Sequence, residues 1–473
     1  MPKIALIGAG SIVFATTLLN DMLATPSLSA SEFALMDLNQ PKLQRVVNYI
    51  RRLIAKAGLK ATVWSTTDRR AALKGADYVI TTFQIGGMDA FQLDYEIPKK
   101  YGVDVCVGQC VGPGGVFRAL RSIPVMAELV HEMEEVCPQA YLLNYVNPMA
   151  MLCLAIGLSS RVRFVGLCHG VQTTLDLISR YAGVKKSEID FQAAGINHMA
   201  WFLKIEKDGK DLYPEVLRNL ERPEYYVNEK VRGEVARHFG YFCTESSGHL
   251  SDYLPWFRKN QEALKLYCDQ PGLGGESGFS YAFGRMMEDK YGQTDYLKYE
   301  SGELLPRSVE YCSYILEALQ TGRPFRFNGN VMNDGFIANL PRESCVEVPV
   351  YADRMGLHPV QVGRLPGPLA AMNQSNITVQ QLGVEAALSG DPERAGAAIA
   401  MDPLTSSVLT LKQIRDMTVE MFEGEEKYLP RFGGRRPRRL PVVSVPKGTV
   451  GVEVPLDPAL AVVHRFGKLA QNK

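Results

Sequence analysis

Cys168 and His169 stand side by side in Val165–Gln172 (VGLCHGVQ), directly after a short apolar run, and a second imidazole, His198, closes another such run in Gly195–Met199 (GINHM). A thiolate and an imidazole meeting in one cleft leave several coordination positions open. That suits a divalent metal gripping a substrate's oxygens (Mn, Fe, Co or Ni) better than a closed structural zinc site. Neither spacing is that of a zinc finger or an HExxH helix, and a cysteine alone is more often a buried small hydrophobe than a ligand. The surrounding elements therefore decide the reading.

Those elements begin with Lys3–Ile7, an apolar run that stops at Gly8-Ala9-Gly10-Ser11 and passes into a helical apolar pattern over Ile12–Leu23. Strand, glycine turn and helix make half of a dinucleotide site, where backbone N–H groups meet a pyrophosphate at the positive end of the helix. Phe33–Met36 is the next strand, and Asp37 at its end is placed for the ribose hydroxyls, favouring NAD over NADP. Val13 departs from the pattern, standing where the third glycine of GxGxxG belongs. Lys60–Ser65 and Asp77–Phe83 predict further strands with a helix at Arg69–Gly75 between them, and Gln84-Ile85-Gly86-Gly87 falls at a carboxyl end, where open α/β sheets bind ligands.

The glycines and prolines of Val111–Pro124 (VGPGGVFRALRSIP) predict an irregular loop entering a helix that runs to Cys137, with His131 on its exposed face. Arg118 and Arg121, three apart, are either contacts to substrate or cofactor or a solvated pair. A strand at Ala140–Val146 ends in Asn147-Pro148, and one at Phe164–Leu167 delivers Cys168 and His169 to the same edge. Beyond His198, a strand at Met199–Ile205 turns at Asp208-Gly209. Phe239–Trp256 gathers Glu245, His249, Asp252 and Tyr253, and the glycine-rich Gln270–Ser280 reads as a mobile loop or lid. A strand pair lies within Asn330–Val350, a helix over Val379–Gly390, and Arg431–Arg439 is a basic, solvated linker to a tail.

The 473 residues allow two or three domains, and 52 basic against 51 acidic side chains, net +1, argue against a polyanion-binding surface. No membrane or nucleic-acid partner is expected. Nine cysteines without regular spacing read as reduced thiols in a cytoplasmic protein. No run of about eighteen apolar residues is present to span a bilayer.

IGAGS at 7–11, ALMDLN at 34–39, FQIGG at 83–87, GPGGVFRALRSIP at 112–124, LLNYVNPMAM at 142–151, VGLCHGVQ, GINHMAWFL at 195–203, YFCTESSGHLSDYLPWF at 241–257 and NDGFIANLP at 333–341 together resemble glycoside hydrolase family 4. These are glycosidases that depend on NAD and a divalent metal such as Mn, and the similarity is greatest to their alpha-galactosidase branch. The resemblance implies an α/β fold, an N-terminal Rossmann-like doubly wound sheet with a C-terminal α+β domain, as in lactate and malate dehydrogenases. The expected boundaries are 1–197 for the NAD-binding domain, 198–440 for the substrate, metal and oligomerisation domain, and 441–473 for the tail. It also implies a homodimer or homotetramer acting on a small carbohydrate.

The chemistry it implies is hydrolysis without paired carboxylates: oxidation at C3 of the sugar, deprotonation at C2, elimination of the aglycone, water addition and re-reduction. By resemblance Cys168 and His198 are the metal ligands, His169 the general acid, Asn147 a substrate contact, and Gly8, Gly10, Ser11 and Asp37 the cofactor cradle. Relatives carry a tyrosine or aspartate base in the region of Thr244–Ser247; this chain offers Glu245 and Ser246 there, and Glu245 is taken as the base. Arg118 and His249 are assigned to substrate binding.

Phosphoglycosidase relatives place an arginine after the double glycine, where it can grip a 6-phosphate; Met88–Glu96 here contains neither arginine nor lysine, so the resemblance disfavours a 6-phosphosugar. Gly170 stands where the alpha-galactosidases have serine, and resembles alpha-glucosidase and alpha-glucuronidase members. An alpha-galactoside leads. An alpha-glucoside, or an acidic sugar (glucuronide, galacturonide or sulfosugar) met by Arg118, Arg121 or Arg258, is the alternative. Outside this class stand a 2-hydroxy acid dehydrogenase and an idle nucleotide sensor.

Overall fold

A computed structural model describes residues 1–473 except 293–294, 454, 456, 461, 463–464 and 467–473. Met1–Pro437 forms one compact unit and Arg438–Lys473 a second, which carries a turn at 447–448 and a helical stretch over 458–460. The end of the expected tail, 467–473, lies outside the described residues.

The first unit is built on one sheet, in which six parallel strands come first: β1 (Lys3–Ile7), β2 (Glu32–Met36), β3 (Thr62–Thr66), β4 (Tyr78–Thr81), β5 (Tyr141–Asn144) and β6 (Arg163–Gly166). Their spatial order, β3-β2-β1-β4-β5-β6, reverses at β1. Strands buried on both faces read as unbroken apolar runs, and successive side chains leave by opposite faces. Ile4, Leu6, Phe33 and Leu35 accordingly join one core, while Ala5, Ile7, Ala34 and Met36 join another.

An antiparallel half continues the sheet: β7 (Asp190–Ile196), β8 (Met199–Lys207), β9 (Lys210–Asp211), β10 (Phe325–Met332), β11 (Cys345–Asp353) and β12 (Gly356–Pro359). The seam is β6 against β10, Gly166 opposite Asn330, and β11 next meets β7, Glu347 opposite Gly195. One sheet thus carries both β6, which delivers Cys168, and the β7–β8 turn that holds His198. The fold is α/β, with a Rossmann-like doubly wound half. Among the described residues no helix is long and apolar enough to cross a membrane.

Three local expectations change. Val111–Pro124 is not a loop: one helix runs from Gly112 to Val136 with Pro113 in its first turn, where a missing N–H costs nothing. Its glycines serve close packing, since a Cβ on Gly114 would lie 2.7 Å from the Asp94 carbonyl oxygen and one on Gly115 2.6 Å from the Cys110 carbonyl carbon. Gln270–Ser280 is no free lid, because Gly278 N donates to Val105 O (2.7 Å), Ser280 N to Cys106 O (3.1 Å) and Arg258 Nη1 to Gly275 O (2.9 Å). The helix expected over Val379–Gly390 begins twelve residues earlier and spans Gly367–Ser389.

Candidate active site and metal centre

At the reversal point of the strand order a cleft of about 830 Å³ opens, lined by Gly8, Gly10, Ser11, Asp37 and Gln84 among others. Gly8 has a φ of +92°, and a Cβ there would sit 2.5 Å from Phe83 N, so only glycine lets the turn pass the neighbouring strand. Gly10 N donates to Asp37 Oδ2 (2.8 Å), and Asn39 N holds the other carboxylate oxygen (2.8 Å). The acid therefore stands fixed at the end of β2. Val13 sits on the helix Ile12–Leu23, 45% exposed and lining the cleft. No packed backbone needs a glycine at that position. A tight glycine turn opening a helix, beside a fixed acid at the end of the next strand, fits a dinucleotide.

Cys168 follows β6 at the sheet's carboxyl edge, and His198 is the second residue of the two-residue turn between β7 and β8, in left-handed backbone at φ 64°. Glu245 arrives from a third direction. Residues 242–244 run along β8 through Phe202 N→Phe242 O (2.9 Å) and Thr244 N→Ala200 O (2.8 Å), and Glu245 then turns at φ 73°. The Cys168 thiol donates to Glu245 Oε1 (3.1 Å), which lies 3.7 Å from His198 Nε2. One ligand atom from each of Cys168, His198 and Glu245 falls within 4.8 Å of the others.

Electrostatics in this cluster all point one way. Burial, reinforced by His249, pushes the His198 imidazole down to about 3, and burial does the same to His249. Burial first and the Glu245 carboxylate second hold the Cys168 thiol well above its usual range. Neutral imidazoles keep a lone pair, and the Arg232 guanidinium goes to the Glu245 carbonyl (2.5 Å) rather than to its carboxylate. Sulfur, nitrogen and oxygen donors thus converge with no resident cation among the described residues. That donor set fits a divalent metal.

The remaining predicted residues divide. His249 joins the cluster, its ring centroid 4.6 Å from that of His198 and its Nδ1 3.8 Å from Glu245 Oε2. Tyr253 reaches His198 Nδ1 with its hydroxyl (3.4 Å), whereas Asp252 turns away to accept the N–H groups of Cys106, Val107 and Gly108. His169 faces outward with its side chain 53% exposed, and its Nδ1 lies 3.2 Å from Glu310 Oε1. That contact is the main reason its imidazole is raised. Asn147 follows β5, the neighbour of β6, and its carbonyl accepts from Arg118 Nε (3.2 Å).

None of the three arginines is solvated. Arg121 is buried between Asp94 and Glu425, and Arg258 is buried on Asp104 near Asp252; neither is available to a substrate carboxylate. Arg118 is also buried, its guanidinium over the Phe91 ring (5.7 Å), but among the described residues no carboxylate pairs with it.

Sequence reasoning missed Glu310, Arg232, Thr174 and Glu347. Glu310 stands 141 residues from the imidazole it contacts, and no local pattern links them. Glu347 is buried opposite Gly195 with its Oε1 unpartnered and its carboxyl pushed up to about 8, first by burial and then by Glu245.

Residues 3–184 match the family model described as family 4 glycosyl hydrolase, and residues 193–405 that of the family 4 glycosyl hydrolase C-terminal domain. An alpha-galactosidase of Rhizobium meliloti is 39% identical over 91% of this chain and 89% of its own length, and one of Bacillus subtilis 38% over 91% and 100%. The solved 6-phospho-beta glucosidase of Thermotoga maritima, with manganese, NAD+ and glucose-6-phosphate, superposes with a TM-score of 0.71 at 22% identity, covering 90% of this chain and 98% of that one.

Proposed function

The chain belongs to the family 4 glycosyl hydrolases, and from that premise we propose that it is an NAD- and Mn-dependent alpha-galactosidase working by transient oxidation at C3. The observation that carries this reading is the convergence of Cys168, His198 and Glu245 at the carboxyl edge of a nucleotide-binding sheet. When bound, the nucleotide supplies a reversible hydride acceptor and the divalent cation a positive charge for the sugar's oxygens.

The chain's own groups do the rest. Gly8, Gly10 and Ser11 seat the nucleotide and Asp37 its ribose, while Cys168 and His198 hold the cation. Glu245 takes the C2 proton. His169 donates to the leaving oxygen, and its contact with Glu310 favours the protonated imidazole that this role requires. Asn147 and His249 orient the sugar. Nine free cysteines support a reducing, cytoplasmic setting.

A second reading, an acidic alpha-glycoside, is favoured by one observation: the buried Arg118 guanidinium beside Asn147, without a carboxylate partner among the described residues. A panel of 4-nitrophenyl alpha-galactoside, alpha-glucoside, alpha-glucuronide and alpha-galacturonide, with NAD, Mn(II) and thiol omitted in turn, tests both. Cleavage of the galactoside that needs all three additions is the expected result, and preference for a uronide moves the assignment to the second reading. Stoichiometric NADH accumulation with a hydroxy acid, and no cleavage, would replace both with a dehydrogenase.

A further inference from the structure

Glu245 reaches the Cys168–His198 pair through a space that another residue leaves open. An ideal Cβ built on Gly170 would lie 2.3 Å from Glu245 Oε1, 2.6 Å from its Cδ and 2.8 Å from its Cγ. The carboxylate occupies the volume that any other side chain at position 170 would fill. Gly170 is the first residue of the helix Gly170–Ala182, and its φ lies outside the left-handed region, so the backbone does not require glycine there. The glycine is explained by the neighbour.

The rest of Glu245 cannot retreat freely. Its carbonyl accepts from Arg232 Nη1 (2.5 Å) and Thr174 Oγ1 (3.3 Å), and Arg232 is itself clamped by Glu229 through Nε and Nη2 (2.6 Å each). Thr174 stands one helical turn beyond Gly170, on the same face. One face of that helix therefore pins the Glu245 backbone and, a turn earlier, vacates the room for its side chain. Oε1 is left facing Cys168 and His198, while Oε2 faces His249.

We infer that Gly170 is a positioning residue: the absent side chain lets Glu245 Oε1 act as a third protein donor to the divalent cation, with Oε2 left over for proton transfer. The inference rests on the metal-site reading above. It has a steric signature, because the conflicting atoms are the far end of a flexible side chain. A residue with a Cβ at 170 is accommodated by swinging the carboxylate away, so the fold survives and the donor is lost.

Mn(II) titration of the full-length protein with NAD present, with free Mn(II) followed by electron paramagnetic resonance, reads this directly without turnover. Gly170→Ala is expected to weaken Mn(II) binding about tenfold, with the thermal unfolding midpoint nearly unchanged. The same substitution in a Glu245→Ala background should change the affinity less than about twofold, since the two positions act through one interaction. Glu245→Asp combined with Gly170→Ala should bind Mn(II) more tightly than Gly170→Ala alone, the shorter side chain clearing the new Cβ.

Undiminished affinity in Gly170→Ala, or equal weakening with and without Glu245, overturns the inference. If Gly170→Ala unfolds, the Asp rescue decides, and its failure counts against the proposal. Cys168→Ser and His198→Ala serve as controls. If these also leave Mn(II) binding intact, the metal-site reading itself fails, a result distinguishable from failure at Gly170 alone.

Discussion

Two of the buried clusters of ionisable side chains among the described residues are built on opposite logic. In one, Arg121 is held between Asp94 and Glu425, with Asp94 engaged through both guanidinium Nη groups at 2.9 and 2.6 Å. The permanent cation satisfies its surroundings, and the cluster ties the helices Gly87–Lys100, Gly112–Val136 and Leu411–Gly424 with its following residue into one body. In the other, Cys168, His198 and Glu245 bring their donor atoms together, and among the described residues no lysine or arginine pairs with the Glu245 carboxylate. A cluster that closes its own charges is architecture, and one that leaves donors converging on a gap is shaped for an ion that arrives from outside.

Replacing Cys168 by serine or His198 by alanine should show the largest effect: kcat/KM falls by about three orders of magnitude, the scale of several kcal/mol of lost charge stabilisation, while the metal-free protein unfolds at nearly the wild-type temperature. Near-normal turnover in both variants would erase the distinction between the clusters. Arg121→Leu should do the converse. Removing one partner of a buried ion pair costs about 3–5 kcal/mol, read as a lowered urea midpoint, whereas the surviving folded enzyme keeps its KM for the sugar. A selective loss of activity there would make Arg121 part of the site.

Acid sharpens the contrast further. His198 and His249 are held neutral in the fold, pushed down to about 3, whereas an unfolded histidine binds its proton near 6.5. Between those values the unfolded chain carries more protons, so stability is full above about pH 6.5 and declines as the pH falls. At pH 5.5 the loss is about 1.4 kcal/mol per imidazole, and His249→Asn should flatten the thermal-midpoint profile of the metal-free protein. Glu425→Gln should do least. The amide keeps the shape of the carboxylate and an acceptor oxygen for Arg121, and Asp94 still supplies the countercharge, so the unfolding free energy should change by no more than about 1 kcal/mol.

The two clusters were not equally legible. Strands β1 and β2, the helix Ile12–Leu23 and the acid Asp37 follow from local pattern, because a parallel strand buried on both faces is apolar throughout and a nucleotide turn needs glycine at fixed steps. Gly112, Gly114 and Gly115 suggest a loop in the sequence because the same residue serves two ends: at Gly8 it supplies a left-handed turn, at Gly114 and Gly115 it supplies nearness to a neighbouring backbone. Arg118 and Arg121, three apart on one helix, look alike in sequence. Only packing separates the arginine with two acidic partners from the one lying over Phe91 beside Asn147.

What the sequence by itself determined is the chemistry on offer: a nucleotide turn, a cysteine and a histidine ending apolar runs, and an acid at 245. Each is encoded within a few neighbouring residues. The tertiary structure alone decided that β6, the β7–β8 turn and the segment beside β8 converge, that Glu310 meets His169, and that Gly170 makes room for Glu245. Those relations join residues far apart along the chain, 77 positions for Cys168 and Glu245 and 141 for His169 and Glu310. They exist because one sheet, parallel in one half and antiparallel in the other, fixes its strands side by side, and proximity across a sheet leaves no periodic trace along the chain.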